Sequence, residues 1–219
     1  MQREELAAHG CLLIHDLATG ERQMERMCHF LEGEGYPVNV VNLFGYASSG
    51  EFDRTPMWQQ WLTQAQTAYV DLRRVCQRVT VVGAGEGGVI ATVLAEQYSV
   101  DGLVVIGSVA RPAAALEAIR RRLPFVREPG AREGVRSLDV GRLVRLSENN
   151  LFSILADVLV IQAMGDARYS PRGGEVLLGG VRSKRRERVE LQGATVRQMC
   201  ASHAEQIEEA LSRFLRGIA

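Results

Sequence analysis

Proline and cysteine are scarce in this 219-residue chain, which has 6 Pro and 4 Cys beside 22 Gly. Hydrophobic residues make up 46% and charged residues 24%, so collagen-like and disordered chains are excluded. The cysteines are widely separated and form no Cys-x-x-Cys pair, which predicts reduced thiols rather than a disulfide framework or a cysteine-ligated metal site. The length predicts one domain over residues 1–219, and we expect no metal and no cofactor.

The chain also lacks a net charge and a long apolar run. Its 26 basic residues balance 26 acidic ones, so a globally basic nucleic-acid binder is not expected. No apolar stretch approaches the roughly 18 residues needed to cross a bilayer, and the polar first residues do not form a secretion signal. We therefore expect a cytoplasmic protein without a membrane or nucleic-acid partner.

Apolar runs of strand length alternate with longer segments of helical period, which predicts an α/β fold with a mostly parallel sheet. Residues 111–150 interrupt this alternation, because they contain no strand and are rich in Arg and Pro, and we interpret them as an inserted helical cap. Strands are predicted at residues 10–15, 37–42, 79–83, 102–107, 158–163 and 188–191. Helices are predicted at residues 20–34, 58–76, 88–98 and 202–215.

A glycine-rich turn between a predicted strand and a predicted helix is the most informative segment, and two interpretations compete for it. As Gly83-x-Gly85-x-x-Gly88 it fits a dinucleotide-binding fingerprint. That turn normally follows the first strand of its domain, however, and the next strand here ends in Ile-Gly-Ser without an acid for the ribose. Alternatively, it is a nucleophile elbow of the Gly-x-Ser-x-Gly type, with glycine in the central position.

Nearly the whole chain resembles one family in the order of its motifs. The chain is similar to the small bacterial carboxylesterases and monoacylglycerol-lipase-like hydrolases of the α/β-hydrolase superfamily. The resemblance implies the α/β-hydrolase fold, with helices on both faces of the sheet and a small cap. It is carried, in chain order, by LLIHDLATG (12–20), GYPV (35–38), NLFGYA (42–47), VVGAGEGG (81–88), VDGLVVI (100–106) and VLVIQAMGD (158–166).

The resemblance also implies where the catalytic positions lie, and the sequence departs from the family there. The nucleophile position is Gly85, the acid position is Asp166, and the histidine position is best matched by Val196, with an uncertainty of a couple of residues. A glycine cannot attack a carbonyl and a valine cannot accept a proton, so the expected triad is incomplete. The pocket and oxyanion region is expected to include Asp16, Leu17, Glu86 and Ser108.

His15, Cys200, His203 and a basic run each allow a functional and a structural interpretation. His15 ends the first strand, where the resemblance suggests a structural hydrogen bond under the oxyanion loop. Cys200 and His203 stand one turn apart, so a Cys–His nucleophile is conceivable, but a surface histidine at a helix start is the favoured interpretation. The basic run at residues 182–188 is interpreted as a solvated loop.

Three functional hypotheses follow from these observations. The first is a catalytically degenerate hydrolase that uses the pocket under the cap for an unknown small molecule, or its surface for a partner. The second is an enzyme with altered pocket chemistry, in which Asp16, Glu86 or Asp166 acts as acid or base. The third is a dinucleotide-binding protein.

Overall fold

The computed structural model describes residues 7–17, 19–43, 57–107, 137–165 and 172–218. Within these ranges six strands form one parallel sheet with the order β2-β1-β3-β4-β5-β6. All six predicted strands are confirmed, although β1 and β3 begin earlier than predicted. The strands are β1 (Ala7–Ile14), β2 (Val38–Val41), β3 (Cys76–Ala84), β4 (Gly102–Ile106), β5 (Asp157–Ala163) and β6 (Arg186–Leu191).

Helices precede or follow most of these strands, and all four predicted helices are confirmed. The helices α5 and α6 defined below were not predicted. Part of the predicted cap is the helix α4, whereas residues 111–136 lie outside the described ranges, so the cap itself remains a prediction. The helices are α1 (Glu25–Gly33), α2 (Met57–Val75), α3 (Glu86–Gln97), α4 (Ser137–Ser147), α5 (Arg172–Gly180), α6 (Val196–Ser202) and α7 (Ala204–Arg216).

The sheet is covered by helices on both faces, because its central strands are apolar on both sides. On one face, strand residues such as Leu12 and Val105 pack with α2 and α3 in the first apolar cluster. On the opposite face, residues such as Leu13 and Ile106 pack with α1 and α7 in a second cluster that contains the fully buried Phe214. This alternation makes the three-layer arrangement that the sequence predicts.

The strand order places a topological switch point between β1 and β3. From β1 the chain passes to β2 on one side, and then to β3 on the other side of β1. In open α/β sheets, ligands bind outside the carboxyl ends of the strands at such a point. The candidate site is therefore expected where β1 and β3 end.

None of the helices in the described ranges is both long enough and apolar enough to span a bilayer.

Candidate functional site

Asp16 and Gly85 meet at the switch point. Ile14 of β1 pairs with Gly83 of β3 in the parallel register, and Asp16 and Gly85 each stand two residues further along their chains. The two residues are 69 positions apart in sequence, and the parallel pairing alone brings them together. The candidate site is built around this pair.

The chain turns sharply at Gly85, between β3 and α3. Gly85 has φ 54° and ψ −123°, in the positive-φ region that L side chains rarely adopt. Its N–H donates to the carbonyl of Ile106 at 2.9 Å, and its own carbonyl accepts the N–H of Gly88 at 3.0 Å. The turn is thus held between β4 and the first turn of α3, in the strand–turn–helix form of a nucleophile elbow.

The other glycines of this turn are required by close backbone packing. A Cβ at Gly83 would lie 2.6 Å from the carbonyl carbon of Gly87, and a Cβ at Gly87 would lie 2.5 Å from the carbonyl oxygen of His15. A Cβ at Gly88 would lie 2.8 Å from Val105. The glycine pattern therefore has a cause in the packing of α3 against the sheet, and a bound pyrophosphate is not needed to explain it.

The side chain of Asp16 lies where a side chain at residue 85 would project. A Cβ at Gly85 would overlap Asp16 Oδ2 and would lie 2.9 Å from Asp16 Cγ. Asp16 is fully buried, so this carboxylate is part of the interior of the turn rather than a solvated surface acid. The Asp16 carboxylate excludes a side chain at position 85, and the positive φ would add backbone strain to any residue other than glycine there.

His15 is buried and is held by backbone groups on both sides of its ring. The Leu43 N–H donates to Nε2 at 3.2 Å, so Nε2 carries no proton. Nδ1 is 2.9 Å from the carbonyl oxygen of Asp16, and a carbonyl can only accept, so Nδ1 donates. These bonds require the neutral Nδ1–H tautomer and support the predicted structural role of His15.

Leu17 and Glu86 flank the Asp16–Gly85 pair. Leu17 is 5% exposed and its side chain belongs to the apolar cluster with Ile14, so only its backbone could contribute polar groups to an oxyanion region. Glu86 is half-buried and is the first residue of α3, where its carboxylate interacts favourably with the positive end of the helix. Their assignment to an oxyanion region remains a prediction.

The turns that follow β5 and β6 approach each other. A Cβ at Gly165 would lie 3.2 Å from the carbonyl oxygen of Ala194 and 3.5 Å from the carbonyl carbon of Gly193. Val196, the best match to the histidine position, is the first residue of α6, with Thr195 as N-cap. Asp166, directly after Gly165, lies outside the described residues, as does Ser108, so both assignments remain predictions.

Cys200 and His203 do not form an activated nucleophile. Burial, together with the nearby Asp16 carboxylate, raises the pKa of the Cys200 thiol to about 12. The His203 ring is 2.7 Å from Ser202 Oγ through Nδ1 and 3.2 Å from the Gln192 carbonyl oxygen through Nε2. His203 is the N-cap residue of α7, as the favoured interpretation of the sequence expects.

Sequence reasoning missed the contact between Asp16 and Gly85, although both positions had been singled out. The available signal was local at each position: an acid directly after His15 at residue 16, and a glycine at the nucleophile position, residue 85. No local pattern reports that these two departures share one space. Only the register between β1 and β3 does so.

The described residues offer little beside the elbow that could hold a metal or a cofactor. No three His, Cys, Asp or Glu side chains within this part of the chain are grouped as a metal site would require. Next to the start of α3, Gly88, Val105 and Gly173 border a cavity of about 20 Å³, which has room for about one water molecule. A ligand larger than a water molecule does not fit inside this cavity.

Comparison with known proteins identifies the fold. No protein-family profile matches the sequence, and no curated protein matches it. Solved structures do match, with identities of 15–20% for the three described next. At that level of identity the likeness establishes the fold and not the activity.

The matching structures include lipases and esterases. A metagenome-derived lipolytic enzyme, from work on LipS and LipT, is 20% identical with a TM-score of 0.79, covering 97% of this chain and 95% of that chain. The monoacylglycerol lipase of Paleococcus ferrophilus is 15% identical to this chain with a TM-score of 0.75, and the match covers 98% of this chain and 97% of the lipase. Est1E from Butyrivibrio proteoclasticus, solved with ferulic acid, is 19% identical to this chain with a TM-score of 0.71, and the match covers 99% of this chain and 91% of Est1E. This chain therefore has the α/β-hydrolase fold, as its motif order predicts.

Proposed function

We propose that this protein is a catalytically degenerate α/β-hydrolase that binds a small molecule at the rim above Gly85 and does not hydrolyse esters. The observation that carries the proposal is the turn at Gly85, which has the form of a nucleophile elbow and no nucleophile. The Asp16 carboxylate fills the space that a nucleophilic side chain would need.

Ester hydrolysis by this fold needs a nucleophile, a base and donors for an oxyanion. Gly85 supplies no attacking atom, and Val196 at the proposed base position cannot accept a proton. The carboxylates of Asp16 and Glu86 would repel the negative charge that develops on the carbonyl oxygen. In a serine protease of another fold, loss of the nucleophile alone costs about a millionfold in kcat, so the combined loss leaves no useful rate.

The dinucleotide alternative receives less support from the same geometry. The glycine turn follows β3, the third strand, and not the first strand. Each glycine of the pattern is also accounted for by backbone packing or by the positive φ of Gly85. The three similar structures described above are a lipolytic enzyme, a monoacylglycerol lipase and Est1E with ferulic acid, and none of them is named as a dinucleotide-binding protein.

Ester turnover and active-site labelling test the loss of hydrolysis. We expect p-nitrophenyl acetate and p-nitrophenyl butyrate to be cleaved at the buffer rate, and a fluorophosphonate probe to label no residue. An active carboxylesterase at the same concentration is the positive control, and heat-denatured protein is the blank. Turnover that denaturation abolishes, or a labelled residue, would contradict the proposal and would favour an enzyme with altered pocket chemistry.

A melting experiment with an intact ester tests ligand binding. A compound that binds only the native state must raise the melting temperature. We expect ethyl butyrate, a neutral ester without a charged end, to raise it in a saturable way and to be recovered unhydrolysed. Absence of any shift at millimolar concentration would contradict the placement of an acyl-type ligand above Gly85.

A further inference from the structure

The turn after β1 holds the Asp16 backbone in a fixed position. The Asp16 N–H donates to Gln23 Oε1 at 2.9 Å. Its carbonyl oxygen accepts the N–H of Thr19 at 3.2 Å and that of Gly20 at 3.1 Å. Because the backbone is held on both sides, the side chain has little freedom to leave the space beside Gly85.

That space lies at the N-terminus of α3. Gly85 is the N-cap residue and has no side chain that could cap the helix. The first N–H groups of a helix have no partners within the helix, and together with the helix dipole they favour a negative charge. Two carboxylates lie at this end: that of the half-buried Glu86, the first residue of α3, and that of the fully buried Asp16, which reaches it from the neighbouring strand end.

A buried carboxylate is costly unless its surroundings compensate its charge. The N-terminus of α3 provides such compensation, and it is also where a nucleophile elbow gathers charge during catalysis. The position that would receive a transient oxyanion in an active hydrolase is thus adjacent to the Asp16 side chain here. Gly85 and Asp16 depend on each other, since a side chain on one excludes a side chain on the other.

We propose that Asp16 is a positioning residue that acts as an internal anion at the N-terminus of α3, holding the elbow together and excluding external anions from it. This goes beyond the proposed loss of hydrolysis and does not depend on it, because it concerns what occupies the elbow. The ligand class it implies for the rim is neutral, since carboxylates and phosphates would meet the charge of Asp16.

Chemical rescue tests this assignment directly. The change Asp16→Gly removes a CH₂–COO⁻ group, for which acetate is the matching free fragment. We expect the variant to melt well below the unaltered protein in sodium chloride, and to recover about 3 °C or more in about 0.5 M sodium acetate at equal ionic strength. The unaltered protein measures the general effect of acetate on stability, and the variant should gain more from acetate than the unaltered protein does.

Asp16→Asn is the matched control, because it keeps the shape of the side chain and removes its charge. We expect it to melt several degrees below the unaltered protein and to gain nothing from acetate, since the space remains filled. An acetate response of Asp16→Gly no larger than that of the unaltered protein would overturn the proposal. If Asp16→Gly does not fold, Asp16→Asn provides the test. A melting temperature of Asp16→Asn equal to that of the unaltered protein would then overturn the proposal.

A double-mutant cycle gives an independent measure of the same pair. Gly85→Ala should lower the melting temperature strongly when Asp16 is present. The new Cβ overlaps the Asp16 side chain, and the alanine has to adopt a positive φ. In the Asp16→Gly background we expect the loss to fall to half or less, since only the backbone strain remains. Equal losses in the two backgrounds would show that the residues are independent and would refute the pairing. Neither measurement depends on ester turnover, so failure of this proposal is distinguishable from failure of the proposed function.

Discussion

The turn after β3 and the turn after β6 carry two of the proposed catalytic positions, yet they are packed in opposite ways. At the first turn, Gly87 has no room for a methyl group, because the carbonyl oxygens of Ile14 and His15, at the end of β1, lie against it. At the second, a Cβ at Gly193 would have no neighbour within 4 Å, and Gln192 beside it is exposed. The first turn is part of the core, whereas the second, which we call the open turn, is exposed at Gln192 and Gly193.

Under the proposed function, this difference gives a reason why the fold persists while the hydrolytic residues are replaced. The glycines at 83, 87 and 88 are required by the packing of α3 on the sheet, whether or not a reaction takes place. A residue on the open turn can be exchanged at little cost to stability. Under the proposed function, the elbow therefore retains its shape while the histidine position does not retain its residue.

The largest expected effect comes from Gly87→Ala. The added Cβ would overlap the carbonyl oxygen of Ile14 and lie 2.5 Å from that of His15, so β1 and α3 would have to separate. Because these are backbone atoms in the core, we expect a loss of about 3 kcal/mol or more in the free energy of unfolding. Equilibrium unfolding in urea measures it.

Gly141→Ala in α4 is the matched control, since a Cβ there would meet nothing within 4 Å. Alanine is favoured over glycine inside a helix by up to about 1 kcal/mol, so this variant should be slightly more stable than the unaltered protein. If Gly87→Ala cost no more than about 1 kcal/mol, the contrast between the two turns would be wrong.

Much of the fold could be predicted from the sequence because its signals are local. The six apolar runs predict six strands, and Gly35 after α1 has φ 88° and ends that helix with the bonds Tyr36 N–H to Leu31 O and Gly35 N–H to Glu32 O. The elbow was recognisable because its glycines stand close together in the chain, within residues 83–88. Patterns of this kind need only neighbouring residues.

What the sequence could not predict depends on distant residues. The overlap of Asp16 with position 85 follows from strand register, and the effect of the Asp16 charge on Cys200 joins β1 to α6. The helix α6 was missed because its seven residues carry no clear helical period. Tertiary contacts, and not local preference, determine these features.

An intermediate effect is expected at the far end of the elbow helix, where Glu96 stands in the last turn of α3. Burial raises the pKa of Glu96 from its ordinary 4.5 to about 7, although the hydrogen bond from the Asn150 N–H to its Oε1, at 3.3 Å, opposes the shift. The unfolded chain releases this proton near its ordinary pKa, whereas the folded protein keeps it up to about pH 7. Stability should therefore fall as pH rises from about 4.5 to about 7.

Glu96→Gln removes this titration and keeps an oxygen acceptor for Asn150. Because the carboxyl group is only partly buried, solvent screening reduces the effect to about 1.5 kcal/mol. Above pH 7 the variant should be more stable than the unaltered protein by this amount, and below pH 4.5 the two should converge. Urea unfolding over this pH range measures the difference, and parallel profiles for the two proteins would exclude Glu96 as its source.

The smallest expected effect tests the open turn itself. Gly193 has φ 69°, and alanine pays about 1 kcal/mol or more in that conformation, but it meets no neighbouring atom and it also restricts the unfolded chain. We expect Gly193→Ala to cost less than about 1 kcal/mol in urea unfolding, against about 3 kcal/mol or more for Gly87→Ala. Gly179→Ala is the control, because a Cβ there also meets nothing and its φ is not positive, so it isolates the conformational part of the cost. A loss at Gly193 as large as that at Gly87 would mean that the turn after β6 is packed as tightly as the elbow. The difference in packing could then not explain why the elbow retains its shape while the histidine position does not retain its residue.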